Sequence, residues 1–134
     1  LGLVADMNVI DKYLGPHATA LSLRQQRMEV LGSNIANAAT PHYKARDIDF
    51  KAEYSRALDG QGSLTTSSPL HIGTTTGGSS ELRFREPISP SLDGNTVELH
   101  VEQLQFAENS ARYEASLQFL GDRIRTLRAA LRGE

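Results

Sequence analysis

Of 134 residues, 39% are apolar and 6% aromatic, short of the ~45–50% apolar share of an ordinary packed domain; the chain can build one domain, with a modest private core. The 14 Lys and Arg against 16 Asp and Glu leave a formal net charge of −2, which excludes whole-chain attraction to nucleic acid or an anionic membrane. Cysteine is absent, which excludes disulfides, thiolate metal sites and cysteine nucleophiles, and no stretch approaches the ~20 apolar residues of a membrane span.

Residues Leu1 to Asp6 precede Met7 and are set aside from fold reasoning. Leu1 to Ala5 is too short, and lacks the basic flank, for a secretory signal, so an exported chain of this kind is expected to travel without a cleavable signal peptide. An N-terminal helical segment is expected over 1–39. Leu14, Ala18, Leu21, Met28 and Ile35 form one apolar stripe on it, with Leu23 and Val30 on the far side.

That helix must stop near Ala38 or Ala39, because Pro41 has no N–H to donate and disfavours the α region for Thr40. Asn37 suits a helix end, since its side chain competes for local backbone groups. A turn and an extended segment are expected over 40–57. From Leu58 to Thr96, Gly, Pro, Ser and Thr make up 22 of 39 residues, a composition that resists helices and favours loop. Within this irregular 58–96 zone, Glu81-Leu82-Arg83-Phe84-Arg85-Glu86 alternates in the period of a half-buried strand; Thr65, Leu70, His71 and Ile72 are its candidate partner.

The second helix is expected over 97–132. Asn95 followed three residues later by Glu98 resembles a capping box, and Arg123, Arg125, Arg128 and Arg132 with Gly133 mark the end. Tyr113, Leu117, Leu120, Ile124, Leu127 and Leu131 follow the 4-3-4-3-4 spacing of a coiled-coil seam. Leu99 and Phe106 extend that seam upstream, while Val97, Val101, Leu104, Ala107 and Ala111 fall on roughly the opposite side. The fold class is therefore mainly α, with long N- and C-terminal helices forming an antiparallel coiled-coil hairpin around an irregular middle with room for short β-strands. Two helices in one hairpin cannot cover both faces of each. Either the middle zone packs over the second faces or neighbouring subunits do, which nominates Leu14, Leu21, Met28, Ile35, Val101, Leu104, Phe106, Tyr113, Leu117, Leu120, Ile124, Leu127 and Leu131 as an assembly interface.

No catalytic or metal residues are assigned. His17, His42, His71 and His100 are scattered without ligand spacing, and the acid pairs Asp47/Asp49 and Glu98/Glu102 read as solvated. Gly77-Gly78 lacks the lysine of a phosphate loop, so no cofactor is expected. The terminal arginines read as a solvated helix flank.

The run Asn34-Ile35-Ala36-Asn37 followed by Thr40-Pro41-His42-Tyr43-Lys44 closely resembles the signature of the flagellar basal-body rod and hook proteins, and Ala45-Arg46-Asp47-Ile48-Asp49-Phe50 is most similar to its proximal-rod members. Pro90 to Leu99, with Phe106-Ala107-Glu108-Asn109 and Tyr113, resembles the matching C-terminal end. Asn34, Ile35, Asn37, Thr40, Pro41, Tyr43 and Lys44 are thus the helix-exit motif. The resemblance implies a non-enzymatic structural subunit that self-assembles through its terminal helices into the axial rod. It implies other rod proteins, the basal-body adaptor FliE and the flagellar export gate as partners, and the periplasmic rod as location. Ala39, His42 and His100 depart from the pattern, which has an acidic residue, glycine and an acidic residue there. The alternative reading is a helical-hairpin adaptor or export chaperone that binds a partner's amphipathic helix.

Overall fold

The computed structural model describes residues 2–60 and 81–133. Its elements in order are α1 (Gly2–Ala36), β1 (Arg46–Ile48), α2 (Phe50–Gly60), β2 (Leu82–Phe84) and α3 (Leu99–Arg132). With 35 and 34 residues, α1 and α3 are each about 51–52 Å long at 1.5 Å per residue. They run antiparallel: Asn34 meets Glu102 and Asn109 meets Arg24, while Arg123 near the far end of α3 lies over the Tyr13 ring, 4.9 Å from its centroid. The hairpin is the one expected from the two apolar stripes. α1 runs through Pro16, where one backbone hydrogen bond is forgone.

α1 ends at Ala36, two residues before the expected stop, and turns through Asn37 to Ala39. Asn37 closes the end: its backbone N–H and its Nδ2 both donate to Ser33 O, at 3.1 and 2.8 Å. The C-terminus of α3 is capped as expected, with Gly133 left-handed at φ 73° and its N–H on the carbonyls of Ala129 and Ala130. Its start differs. The cap residue is Glu98, which makes no side-chain cap bond, and Asn95 instead accepts from Val97 N at 2.7 Å and turns its amide elsewhere.

The strand at Leu82–Phe84 forms where period-two alternation places it, but its residues are exposed rather than half-buried. Its neighbour is β1, antiparallel in the register Arg46 to Phe84, Asp47 to Arg83 and Ile48 to Leu82. The candidate partner residues Thr65, Leu70, His71 and Ile72 lie outside the described residues. The segment expected to stay extended as far as residue 57 is instead helical from Phe50. Asp49 begins that helix by accepting from Ala52 N at 3.2 Å, the N-cap role for which Asp is favoured. Phe50 stacks on Tyr54 one turn later, ring centroids 5.7 Å apart, and Arg24 of α1 covers the Phe50 ring at 4.1 Å.

Among the described residues the buried apolar side chains are Leu23, Leu31, Ala45 and Ile48. Leu23, placed by periodicity on the far side of α1, is thus covered inside the monomer, where β1 and α2 pack against α1. Among the described residues the second face of α3 has no such cover: Ala107 and Ala111 are exposed, and Leu104 is 67% exposed. More polar than apolar side chains are buried, namely Asn34, Glu53, Asn95, Glu102 and Asn109.

Candidate functional site

Two linked clusters at the closed end of the hairpin fix how the helices, the exit turn and the β-pair sit together. The first is built on Asn34, one turn before α1 ends and fully buried. Its Oδ1 accepts from Arg46 N at 3.1 Å and its Nδ2 donates to Arg46 O at 2.6 Å. The side-chain amide thus pairs with the first residue of β1 as a neighbouring strand would. Nδ2 also donates to Glu102 Oε2 at 3.0 Å, joining α1 to α3.

Around it lies a ring of four charges. Arg27 of α1 makes a two-pronged contact with Asp47 of β1, Nε to Oδ1 at 2.9 Å and Nη2 to Oδ2 at 3.0 Å, and Nη2 also reaches Gln105 Oε1 at 2.7 Å. Arg85, just after β2, donates to Asp47 Oδ2 at 2.6 Å and to the fully buried Glu102. Two cations and two anions from four parts of the chain cancel, which is what lets them be buried at all. Burial works against the Asp47 charge, but hydrogen bonding and attraction from Arg27, the Ile48 N–H and Arg85 outweigh it and hold the carboxyl below its ordinary range. Hydrogen bonding to Asp47 in turn raises Arg27 above its usual value.

A group with a depressed folded-state pKa contributes stability that is present above its unfolded pKa and lost as pH falls through the folded one. The thermal midpoint of the monomer is therefore expected to be level from about pH 5 to 8 and to drop below about pH 4, near the ordinary Asp range. Asp47→Asn should flatten that acid limb; an unchanged limb in the variant would remove Asp47 as its source.

The second cluster holds the exit turn. Asn95, buried in the loop before α3, turns its amide onto Asn37 O, Ala38 O and Thr40 O at 3.0, 3.1 and 2.8 Å. These carbonyls belong to the turn that follows α1, where Asn37 O and Thr40 O also accept from the Thr40 and Tyr43 N–H groups. Thr40 Oγ1 donates to Asn37 Oδ1 at 3.1 Å. Past Pro41 the chain is laced to the same loop: His42 N donates to Asp93 O at 3.0 Å, Thr96 N to Tyr43 O at 3.0 Å, Ala45 N to Thr96 Oγ1 at 2.7 Å, and Lys44 Nζ to Gly94 O. The Tyr43 hydroxyl returns to Ser33 Oγ at 3.2 Å.

His42 stands at φ 62°, in the left-handed region, which a β-carbon resists by about 1–2 kcal/mol. The turn keeps the conformation natural to glycine although histidine occupies it, because its N–H is held by Asp93. The approach is tight, since a β-carbon on Gly94, itself at φ +74°, would stand 2.9 Å from His42 Nδ1. His42→Gly is expected to stabilise the monomer by roughly 0.5–1 kcal/mol, strain relief less the extra freedom of the unfolded glycine. Chemical denaturation checks this, and a loss of stability would contradict it.

The helix-exit motif residues come together as one turn, Ile35 half-buried beneath it and Pro41 exposed at its tip. The nominated interface residues divide. Leu14, Leu21, Met28, Ile35, Val101, Phe106, Tyr113, Leu120 and Leu127 are half-buried, whereas Leu104, Leu117, Ile124 and Leu131 are exposed. Two acids read as solvated from sequence are not: Asp47 lies in the charge ring and Glu102 has no exposed surface. Their signal was weak, because a carboxylate on a helix or strand reveals nothing of a cation distant in sequence. Asp49 and Glu98 do serve locally, Asp49 as a cap and Glu98 by accepting from Ile88 N at 3.0 Å. Among the described residues no group of His, Asp or Glu could hold a metal ion, and no helix is long and apolar enough to cross a membrane.

A family model described as flagella basal body rod protein matches residues 16–44, the second half of α1 and the exit turn. Along nearly the whole chain it is similar to proteins named flagellar basal body rod protein FlgB. That of Cereibacter sphaeroides is 56% identical over 124 residues, covering 90% of this chain and 94% of the relative. Those of Escherichia coli and Salmonella typhimurium are 44% and 42% identical, covering 89% and 92% of this chain and 92% and 96% of the relatives. The family model takes in the exit turn that Asn34 and Asn95 hold in place, the likeness to the relatives runs along nearly the whole chain, and the chain belongs to the FlgB family of flagellar basal-body rod proteins.

Proposed function

We propose that the chain is a structural subunit of the proximal rod, assembling through its terminal helices with copies of itself and with other rod proteins into the axial drive shaft. The rod and basal-body assignment rests on the family, which is one of structural components. The observation that carries the assembly mechanism is the outer face of α3, which the described residues leave uncovered: Leu104 is 67% exposed, and Ala107 and Ala111 on the same side are exposed too. Phe106, Tyr113, Leu120 and Leu127 on the seam face are half-buried in the hairpin, with Phe106 beside Gly32 of α1, and the outer face is left free to pack between subunits. The closed-end clusters set the angle at which the β-pair leaves the hairpin, giving every copy one shape to pack. Contact with the adaptor FliE and passage through the export gate into the periplasmic rod follow from that place in the structure.

The test separates assembly from folding. Leu104→Asp lies on exposed surface, so monomer stability should stay within about 0.5 kcal/mol, while a charge at a helix packing face should prevent copies from associating. Sedimentation of the purified variant, with motility and isolated basal bodies from a complemented null strain, reads both. Leu120→Asp is the less clean variant, because Leu120 is half-buried and its loss damages the hairpin itself. Normal rods and motility with Leu104→Asp would overturn the assembly role of this face.

A further inference from the structure

The two ends of α3 carry opposite charge, and each end also exposes large apolar side chains. From Arg123 to Arg132 there are four arginines and no Asp or Glu. Arg123 lies over Tyr13 and Arg125 pairs with Asp122, but Arg128 and Arg132 make no ion pair among the described residues. Beside them Ile124 is 47% exposed and Leu131 78%. At the other end, from Glu86 to Leu99, there are three acids, Glu86, Asp93 and Glu98, and no Lys or Arg. None of the three is ion-paired among the described residues; Lys44 is spent on Gly94 O and Arg85 on Asp47 and Glu102, and His42 acts on Asp93. Asp93 is kept charged by the Ser91 hydroxyl and the Asn95 N–H, which hold its carboxyl below the ordinary range. Here Ile88 is 86% exposed and Leu92 fully so.

Helix dipoles favour acids at the start of α3 and cations at its end, and that would account for the charges alone. It does not account for Ile88, Leu92, Ile124 and Leu131 standing in water beside them. Nor can the two surfaces meet within one copy, since Arg128 lies about 45 Å further along the helix than Glu98 at 1.5 Å per residue. We propose that the basic, leucine-bearing end of α3 in one copy docks on the acidic Glu86–Glu98 loop of a second copy, head to tail. This deepens the assembly reading and rests on it. Such a contact joins two different surfaces, so it leaves one of each free at the ends and propagates along an axis instead of closing into a dimer.

The chain has no cysteine, so introduced thiols report the contact without background. Leu131→Cys in one preparation and Leu92→Cys in another, mixed at low salt under oxidising conditions, should form a mixed disulfide dimer. Reversing the tip (Arg128→Glu with Arg132→Glu) in both preparations, or the loop (Glu86→Lys and Ser89→Lys with Glu98→Gln, which leaves two lysines against Asp93 alone), should cut the yield by about tenfold, as like charges come to face each other. Mixing tip-reversed with loop-reversed protein should restore it, because each then presents the other's complement. At 1 M salt, where screening acts over about 3 Å, the unreversed yield should fall too. Helicity, followed by circular dichroism, should be unchanged by the loop reversal. Cross-linking that ignores both reversals, or fails to return in the mixture, overturns the proposal. If copies associate by sedimentation but Leu131→Cys and Leu92→Cys never link, the lateral assembly reading stands and this contact falls; if no copies associate at all, both fall.

Discussion

Glu102→Ala is expected to destabilise the monomer by about 3–5 kcal/mol, the usual cost of removing one partner from a buried ion pair. Glu102 has no exposed surface, and it accepts from Arg85 and from Asn34. Without it Arg85 keeps only Asp47, and the ring holds two cations against one anion in a place that water does not reach freely. The Asn34 amide loses a partner too, loosening the hold on Arg46 and hence on β1. Urea denaturation gives the number. Replacing the pair together, Glu102→Leu with Arg85→Met, should recover most of the loss, because apolar groups of similar size leave no charge unpaired. A single-variant cost below about 1 kcal/mol, the scale of an exposed pair, would show that the ring is open to solvent.

Asn95→Ala should cost about 2–3 kcal/mol. The side chain's two N–H bonds are shared among the carbonyls of Asn37, Ala38 and Thr40, and its Oδ1 accepts from Val97 N. Each such bond is worth about 1 kcal/mol net, and Asn37 O and Thr40 O keep the Thr40 and Tyr43 N–H groups as donors. The effect should be local as well as global. Amide exchange should quicken from Asn37 through Ala45 before it does in the middle of α1, since Asn95 joins the carbonyls of Asn37, Ala38 and Thr40 to the loop that also holds His42, Tyr43 and Ala45. Equal protection of the turn in variant and parent would mean that Pro41, the Asn37 cap and the bonds of His42, Tyr43 and Ala45 to the loop suffice to hold it.

Local signals carried the sequence reading a long way. Pro41, the Gly133 cap and the 4-3 spacing from Tyr113 to Leu131 each act within a turn or two of the chain, so they place both long helices and the exit between them. The alternation around Arg83 marks β2 for the same reason. Asp49 and Glu53 at the start of α2 are an equally local signal, a helix cap and a first-turn acid.

What the sequence determined alone was the hairpin, the break after α1, the small apolar core and the family. Tertiary structure alone decided which of its acids and amides hold the fold. Asp47, Glu102, Asn34 and Asn95 act on groups 12 to 68 residues away along the chain. Burial energies of charges depend on partners brought close by folding, not on spacing along the chain, and so Asp47 and Glu102 look solvated until Arg27 and Arg85 are placed beside them. The same holds for the faces of the helices: periodicity shows that α1 and α3 each have two, but only packing shows that Leu23 is covered from within while Leu104 is exposed.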